Sequence, residues 1–399
     1  MINLKNPWKR NLAVIYANGG LMWGRFTIPV LALFYIASQV PLEQFAIIMS
    51  VFALTTLLLE IPTGVLADLL GKKKTLLIGR AMYIIEIALF AFFNGFWIFL
   101  IAKIISGIGV SLSSGTEGAL LYDTLKRLGI EKEHKRIRGI LNVVSGISMA
   151  IVFGVGAYLF TIHYKLPAIA SLPLLVIGFL LTFLLKEPYE NKKKLNLSNS
   201  WRHLKQGIRY FVKQKYLIYL ASFTLLAGSA ISMVLSLSSS YLEKIMVPIS
   251  FMGIISFISY LLYSYSSKMA YKWEAFFGEK KSLLLIKFVI VVSIIAMSLI
   301  IPYYGLIFLI LISFIQGFYE VILSDYTNRH VKSSHRATML SINNMFDNIG
   351  IFILFPVLGW MIKEYSIARM HLLFGIFLAV AFTISFFFYL GLRRKDKKN

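Results

Sequence analysis

The stretch EIPTGVLADLLGKKK, from Glu60 to Lys74, joins two long apolar runs. It concentrates two acids, a proline, two glycines and three consecutive lysines between segments that carry almost no charge. Glycine permits tight turns, and lysine is attracted to anionic lipid headgroups. The stretch therefore predicts a short connection between two helices at a membrane surface.

The composition of the whole chain indicates that the protein lies in an apolar environment. Hydrophobic residues make up 58% of the 399 residues, charged residues make up 15%, and the mean hydropathy is +0.74. A soluble domain carries about a quarter charged residues. Only helices or closed barrels satisfy their backbone groups in lipid, and the long uninterrupted apolar runs favour helices. We expect an all-α integral membrane protein.

Twelve apolar runs reach the ~20 residues that a helix needs to cross the hydrocarbon core. The first run is too long for a signal-peptide core, so it is expected to be retained as a span. The predicted spans are 11–37, 43–67, 74–93, 97–121, 139–162, 166–185, 216–241, 249–271, 282–300, 302–324, 337–362 and 370–391.

Lysine and arginine are distributed unevenly over the connections between these spans. With the N-terminus inside, 33 of the 41 basic residues fall in inside segments and 4 in outside loops. By the positive-inside rule both termini are cytoplasmic, in a bacterial inner or plasma membrane. The net charge of +23 then faces anionic lipid rather than nucleic acid. The absence of cysteine excludes disulfides and thiolate metal sites.

The two halves of the chain resemble each other. GKKKTLLI at Gly71–Ile78 matches GEKKSLLL at Gly278–Leu285, and EGALLYDTLKR at Glu117–Arg127 is similar to EVILSDYTNR at Glu320–Arg329. Both pairs are separated by about half the chain. Repeated halves with a midplane site between them are a transporter architecture.

This repeat predicts two pseudo-symmetric six-helix bundles, residues 1–185 and 216–399. Residues 186–215 form the cytoplasmic linker between them. Within the linker, residues 201–211 are either an amphipathic helix on the inner membrane face or part of a solvated basic segment.

The opening stretch resembles the signature loop of the major facilitator superfamily through Gly64-x3-Asp68-x2-Gly71-Lys72-Lys73. Leu69 stands where the family usually has a basic residue. The resemblance implies the family's fold of twelve helices in two bundles, with this loop as a latch that joins the halves in the outward-open state. A plain positive-inside turn would explain the lysines but not the spacing of glycine and aspartate.

The predicted latch consists of Gly64, Asp68, Gly71, Lys72, Lys73, Arg80 and Asp123. Gly64 is expected to let a neighbouring helix approach closely, and Gly71 is expected to permit the tight turn. Asp68 is expected to meet a helix N-terminus of the other half, or a basic partner such as Arg80 or Arg138.

The fourth span carries a second resemblance. KIISGIG, residues 103–109, is similar to a family motif whose leading basic residue is linked to proton coupling, with Lys103 in place of arginine. Lysine keeps the charge but not the bidentate geometry. The Gly-Pro signature that drug/proton exporters carry in the fifth span is missing here, which weakens an assignment as an exporter.

Charges within the spans are functional candidates, because each costs at least ~2.5–3.5 kcal/mol at the bilayer centre. In the family's fold the first, fourth, seventh and tenth spans line the cavity. This places Arg25, Lys103 and Glu320 on cavity helices and Asp347 beside them. Glu86, on the peripheral third span, is expected to be a structural partner of a basic neighbour.

Asp347 stands in NNMFDN, with Asn343 and Asn344 about one turn away. Burial favours the proton-bound form of a carboxyl group, and amides can hydrogen-bond either form. Asp347 is therefore a proton-coupling or substrate carboxylate, or a structural acid paired with Arg25 or Lys103. Glu320 is an equal rival for the coupling role.

The predicted substrate cavity contains Arg25, Asn343, Asn344, Tyr260 and Tyr263. The seventh and eighth spans, rich in serine and tyrosine, suggest an amphipathic cavity wall. Individually, a helical serine more often bonds its own backbone than a substrate.

These features predict a secondary active transporter with alternating access, since the chain contains no nucleotide-binding P-loop. The leading prediction is an efflux-type antiporter that exports an amphipathic small molecule, a drug or metabolite, in exchange for protons. The alternative is proton-coupled import of a small anionic metabolite, because the missing exporter signature and Arg25 argue against a typical cationic-drug pump.

An enzyme is disfavoured, because all six histidines lie in loops or at span ends. A receptor or scaffold with a transporter fold is a further alternative. We expect a monomer whose partners are a small-molecule substrate, protons and membrane lipids, with no cofactor, metal or nucleic acid.

Overall fold

The structure, a computed structural model, describes residues 6–188, 209–329, 331 and 336–396. These residues are mainly helical and contain no strand. The helices are α1 (Pro7–Leu21), α2 (Leu31–Ala37), α3 (Leu42–Leu70), α4 (Lys72–Phe92), α5 (Phe96–Ser113), α6 (Thr116–Leu128), α7 (His134–Ile162), α8 (Leu166–Phe183), α9 (Lys215–Ser236), α10 (Ser238–Lys244), α11 (Ile249–Met297), α12 (Leu306–Arg329), α13 (Arg336–Glu364) and α14 (Ile367–Asp396).

Nine helical segments of the described chain are long and apolar enough to cross a membrane. They correspond to the predicted second to seventh and tenth to twelfth spans. Of the other three predicted spans, the first is divided between α1 and the short apolar segment Ile28–Ala37, and the eighth and ninth fall largely on the two parts of α11.

The prediction of one continuous first helix over 11–37 is wrong. α1 ends at Leu21, and a 3-10 turn at Ile28–Val30 precedes α2. Pro29 has no N–H to continue the hydrogen-bond ladder. The hydroxyl of Ser171 accepts a 2.9 Å hydrogen bond from the Phe26 N–H, so this interrupted backbone has a partner within the protein.

Other predicted spans differ from the structure at glycines and at their ends. The fourth span is interrupted between α5 and α6, where Gly115 has a φ of +50°. α11 consists of two helices that meet at a kink at Gly278, where φ is +71° and ψ is 167°, so the connection expected between the eighth and ninth spans is reduced to this kink. α14 continues beyond the predicted end of the twelfth span, to Asp396.

The chain divides into two compact units. The first unit comprises Met1–Val40, Leu54–Leu197 and Ile249–Phe257, and the second comprises Pro41–Ala53, Ser198–Pro248 and Ile258–Asn399. Residues 189–208 lie outside the described residues. The predicted division at 186–215, and the amphipathic helix over 201–211, therefore stay predictions.

A cluster of aromatic rings surrounds a buried lysine in the first unit. Lys165, just before α8, donates hydrogen bonds to the carbonyls of Phe90 and Phe93, at 2.7 and 2.5 Å. Its ammonium lies 5.5 Å from the ring centroids of both Phe34 and Phe99. A cation at these carbonyls also complements the C-terminal end of the α4 dipole. Burial lowers the pKa of Lys165 to about 8.

Replacing this lysine tests its contribution to stability. We expect Lys165→Met to lower the thermal unfolding temperature at pH 7, because each buried carbonyl left without its donor costs about 1–3 kcal/mol. The unfolded chain keeps the lysine proton up to its ordinary pKa of 10.5. Between about pH 8 and 10.5 the unfolded state therefore binds more protons, and folding gains stability from the wild-type lysine as pH rises.

The stability difference between wild type and Lys165→Met should consequently widen above pH 8. Thermal unfolding in detergent micelles over this pH range measures it. Lys363→Met removes an exposed lysine and serves as the matched control. A difference that stays constant with pH would show that Lys165 does not titrate in this way.

Candidate functional site

A cavity of about 440 Å³ lies within the second unit, between α9, α12 and α13. Its lining combines two carboxyl groups, amides and hydroxyls with aliphatic side chains. The lining residues are Thr224, Gly228, Ile231, Ser232, Gln316, Tyr319, Glu320, Leu323, Ser324, Asn343, Asn344 and Asp347.

Helical periodicity explains why these residues share one cavity. Each of the three helices contributes residues three or four positions apart, which lie on one face of an α-helix. A Cβ atom added at Gly228 would collide with Oδ1 of Asp347, so glycine leaves the room that this carboxyl group occupies. Gly350 similarly allows α13 to approach the backbone of α9 at Leu225.

Asp347 faces the cavity with an unsatisfied oxygen. Its Oδ1 atom is buried and accepts no hydrogen bond from any described residue. The neighbouring amides do not fill this role: Asn343 donates to Thr327 Oγ1 at 2.7 Å, and Asn348 donates to the Asn344 carbonyl at 3.2 Å. The expectation that the amides gather around the acid is met only in that Asn343 and Asn344 line the same cavity.

Glu320, in contrast, has two hydrogen-bond donors. The Tyr263 hydroxyl donates to Oε2 at 2.7 Å, and the Gln316 amide donates to Oε1 at 2.9 Å. The ring of Tyr260 stacks on that of Tyr263, with 5.8 Å between centroids. Tyr263 therefore reaches the site through Glu320, and Tyr260 through Tyr263, although neither is among the lining residues.

The residues that line this cavity include two acids and no lysine or arginine. Neighbouring carboxylates repel each other when both are charged. A proton or a cationic ligand is the natural way to balance such a pair. A cavity of this kind can bind and release a proton or a cationic ligand.

In the first unit, the intramembrane acid has basic side chains beside it. Glu86 is buried and lies 2.8 Å from the Lys103 ammonium and 3.6 Å from the Arg25 guanidinium. Arg25 also stacks over the Tyr83 ring at 4.2 Å. Glu86 thus has the basic neighbours expected of a structural acid.

These contacts bear on the alternative in which Asp347 is a paired structural acid. Arg25 and Lys103 were its expected basic partners, but both pair with Glu86. The role of Asp347 stays a prediction. The coupling role of Lys103 and the substrate role of Arg25 stay predictions.

Side-chain contacts within the first unit hold the end of the predicted latch loop, at the start of α4. Gly71 adopts a φ of +85°, which glycine tolerates best, and it directly precedes α4. The Lys72 ammonium pairs with the Asp123 carboxylate, and Lys73 donates to the Phe183 carbonyl at 2.7 Å. The predicted turn at Gly71 is found.

Other latch residues differ from expectation. A Cβ atom added at Gly64 would meet no atom within 4 Å among the described residues, so the close helix approach expected there stays a prediction. Arg80 is buried, pairs with Glu117 at 3.2 Å and donates to the Thr182 hydroxyl. The side chain of Asp68 lies outside the described ones, so its predicted contacts stay untested.

Sequence reasoning missed the residue that caps this loop. The Glu187 carboxylate accepts hydrogen bonds from the backbone N–H groups of Lys72 and Lys73, at 3.2 and 2.9 Å. An acid at a helix N-terminus satisfies free donors and complements the dipole. The Asn11 side chain bonds both backbone groups of the adjacent Lys186 at 2.8 Å, which fixes this segment.

Sequence reasoning also missed Gln316, Tyr319 and Thr224 in the cavity. Gln316 precedes Glu320 by one helical turn, and this spacing on a cavity helix would have indicated it. Contacts of Thr224 and Tyr319 with the site depend on how separate helices pack, and no local pattern reports that.

Comparison with known proteins adds the family to this geometry. The sequence profile of the Major Facilitator Superfamily matches residues 14–331 and 220–399. An uncharacterized transporter of Buchnera aphidicola (BU466) is 24% identical over 76% of this chain and 77% of its own length. The quinolone resistance protein NorA of Staphylococcus aureus strain Mu50 is 21% identical over 92% of each chain.

Solved structures show the same fold. The nucleoside transporter NupG superposes with a TM-score of 0.79 at 14% identity, over 96% of this chain and 99% of NupG. A D-xylose–proton symporter superposes with a TM-score of 0.67 at 12% identity, over 92% and 96%. Together with the all-helical architecture and its apolar spans, the profile match shows that this chain is a multi-pass membrane protein with twelve transmembrane helices, a transporter that belongs to the Major Facilitator Superfamily.

Proposed function

We propose that this transporter exports an amphipathic small molecule in exchange for protons. The observation that carries the proposal is the acidic cavity of the second unit. Asp347 and Glu320 line it together, one Asp347 oxygen lacks a hydrogen-bond donor among the described residues, and no basic residue belongs to the lining. Such a site gains stability from a bound proton or a cationic group.

The shape and chemistry of the cavity suit a small organic molecule. A volume of about 440 Å³ falls in the range of ligand pockets, which are largely apolar with a few polar groups. Ile231, Leu323 and the Tyr319 ring supply apolar surface, while Asn344 and Ser232 supply hydrogen bonds. The full-length similarity to a quinolone resistance protein supports export.

Proton and substrate would then compete for the same acids. A protonated carboxyl releases a cationic or hydrogen-bonding substrate, and deprotonation restores the site for the next one. Each ligand shifts the equilibrium between outward-open and inward-open states by its different affinity for them. Positive-inside charge supports cytoplasmic termini in a bacterial membrane, and export would carry the substrate from the cytoplasmic side to the outside.

Neutralising Asp347 tests the coupling role. In everted membrane vesicles with an imposed pH gradient, we expect amphipathic substrates to trigger proton efflux in wild type. Asp347→Asn keeps the size of the side chain but cannot release a proton, so the efflux should be lost. Asp325→Asn is the matched control, because Asp325 lies on α12 outside the cavity lining and pairs with Arg329.

The possible results separate the candidates. A signal that survives Asp347→Asn but not Glu320→Gln would assign the coupling role to Glu320. A folded protein that gives no signal with any compound of the panel would contradict export and favour import of an anionic metabolite, to be checked by uptake into whole cells.

We also propose that the loop around Gly71 sets the rate of alternating access. Its support is the Lys72–Asp123 pair together with the Glu187 cap, which hold the start of α4. In the family this loop latches the two halves. Arg80 would stabilise the same region through Glu117.

Reversing one charge of the pair tests this role. Asp123→Lys places two ammonium groups together, and we expect it to slow transport at saturating substrate without changing the half-saturating concentration. The swapped variant Lys72→Asp/Asp123→Lys restores opposite charges and should recover most of the rate. A double variant as slow as the single one would show that the pair itself is not required.

A further inference from the structure

Lys287, in the second half of α11, is a buried cation without an acidic partner among the described residues. Its side chain is 5% exposed, and its ammonium donates one hydrogen bond, to the Tyr219 hydroxyl at 3.3 Å. The ring centroids of Tyr219, Phe223, Phe382 and Phe386 lie 5.2, 5.5, 5.6 and 5.9 Å from this nitrogen. Aromatic faces attract a cation, but less strongly than a carboxylate does in an apolar interior.

The internal repeat identifies the counterpart of Lys287 in the first unit. Gly71 has φ +85° and ψ 153°, and Gly278 has φ +71° and ψ 167°, so the two glycines make the same bend. Arg80 follows the first glycine, and Lys287 the second, by the same number of residues. Both basic side chains are buried. Lys287 is therefore the repeat equivalent of Arg80.

The other repeated segment, whose offset of 203 residues is about one helical turn shorter than the 207 between the two glycines, identifies the missing partner. Arg80 pairs with Glu117, the first residue of EGALLYDTLKR. The matching segment of the second half, EVILSDYTNR, begins with Glu320. Glu320 binds Tyr263 and Gln316 instead and faces the cavity. The ion pair of the first unit thus has separated counterparts in the second unit.

Two rings lie between the separated charges. Phe223, one of the rings around Lys287, packs edge-on against Tyr319 with 5.8 Å between centroids. Tyr319 in turn lines the cavity next to Glu320. These two rings therefore connect the surroundings of Lys287 to the cavity that contains Glu320.

We propose that Lys287 is the counter-ion of Glu320 in another state of the transport cycle, in which the two form the equivalent of the Arg80–Glu117 pair. The proposal rests on the proposed proton-coupled cycle. When the site holds neither a proton nor a substrate, the Glu320 carboxylate lies in a cavity whose lining has no basic residue, and Lys287 is a cation of the same unit that is already desolvated. Lys287 would act as a positioning residue that stabilises the empty, deprotonated site.

Chemical cross-linking tests the pairing directly. Dicyclohexylcarbodiimide enters membranes, activates carboxyl groups and joins them to an adjacent amine as an amide, releasing a urea. In the full-length protein in vesicles without substrate, we expect a peptide linked through Lys287 and Glu320. It should be lost in Glu320→Gln and in Lys287→Met.

The first unit provides a matched positive control. Lys103 and Glu86 lie 2.8 Å apart, so their cross-link should form in every variant of the second unit. If the Lys103–Glu86 link forms but no Lys287–Glu320 link appears at any pH or gradient, the proposal is wrong. A Lys287–Asp347 link alone would also overturn the assignment to Glu320.

This readout is independent of the proposed function. Cross-linking needs neither a known substrate nor a proton signal. A Lys287–Glu320 link in a protein whose vesicles show no substrate-triggered proton movement would contradict proton-coupled export and still establish the ion pair.

Discussion

The cost of charge in an apolar interior is the constraint on which the rest of this structure depends. An ionised side chain removed from water must find a partner or change its protonation state. The first unit uses partners, since Glu86 lies between Lys103 and Arg25, and Arg80 pairs with Glu117. The second unit leaves Asp347 and Glu320 in one cavity whose lining has no basic residue. The two units thus differ in how they accommodate acids: the first places basic side chains beside them, and the second places them in a cavity whose lining has none.

This asymmetry suggests a division of roles between the units. A buried acid that is fully paired resists titration and holds helices in register, because breaking the pair strands a charge. An acid without a basic partner responds to protons and to ligands. The second unit is therefore the better candidate for coupling chemistry, and the first for a stable framework. Glu187 and Asn11 add to that framework by fixing the end of α8 against the start of α4.

Much of the architecture could be predicted from the sequence, because twenty-residue apolar runs and the placement of lysine report directly on a bilayer. The candidate acids could be found for the same reason: Asp347 and Glu320 are conspicuous in apolar helices. The contacts around these two acids could not be predicted from the sequence. Whether Arg25 turns to Asp347 or Glu86 depends on packing between distant segments, and the hydrogen bonds of Tyr263 and Gln316 depend on rotamers. Gly64 shows the limit of a motif, since it matches the family pattern but no described neighbour lies close to it.

The break in the first span has a mechanical consequence. A continuous helix can bend only by stretching or breaking its ladder of main-chain hydrogen bonds. Between Leu21 and Ile28 that ladder is already interrupted, and the Phe26 N–H is held by a side chain of α8 instead. Bending at this point sacrifices few further ladder bonds. Arg25 sits within the interruption, so a small change of angle there would move its guanidinium relative to Glu86 while both flanking helices keep their shape.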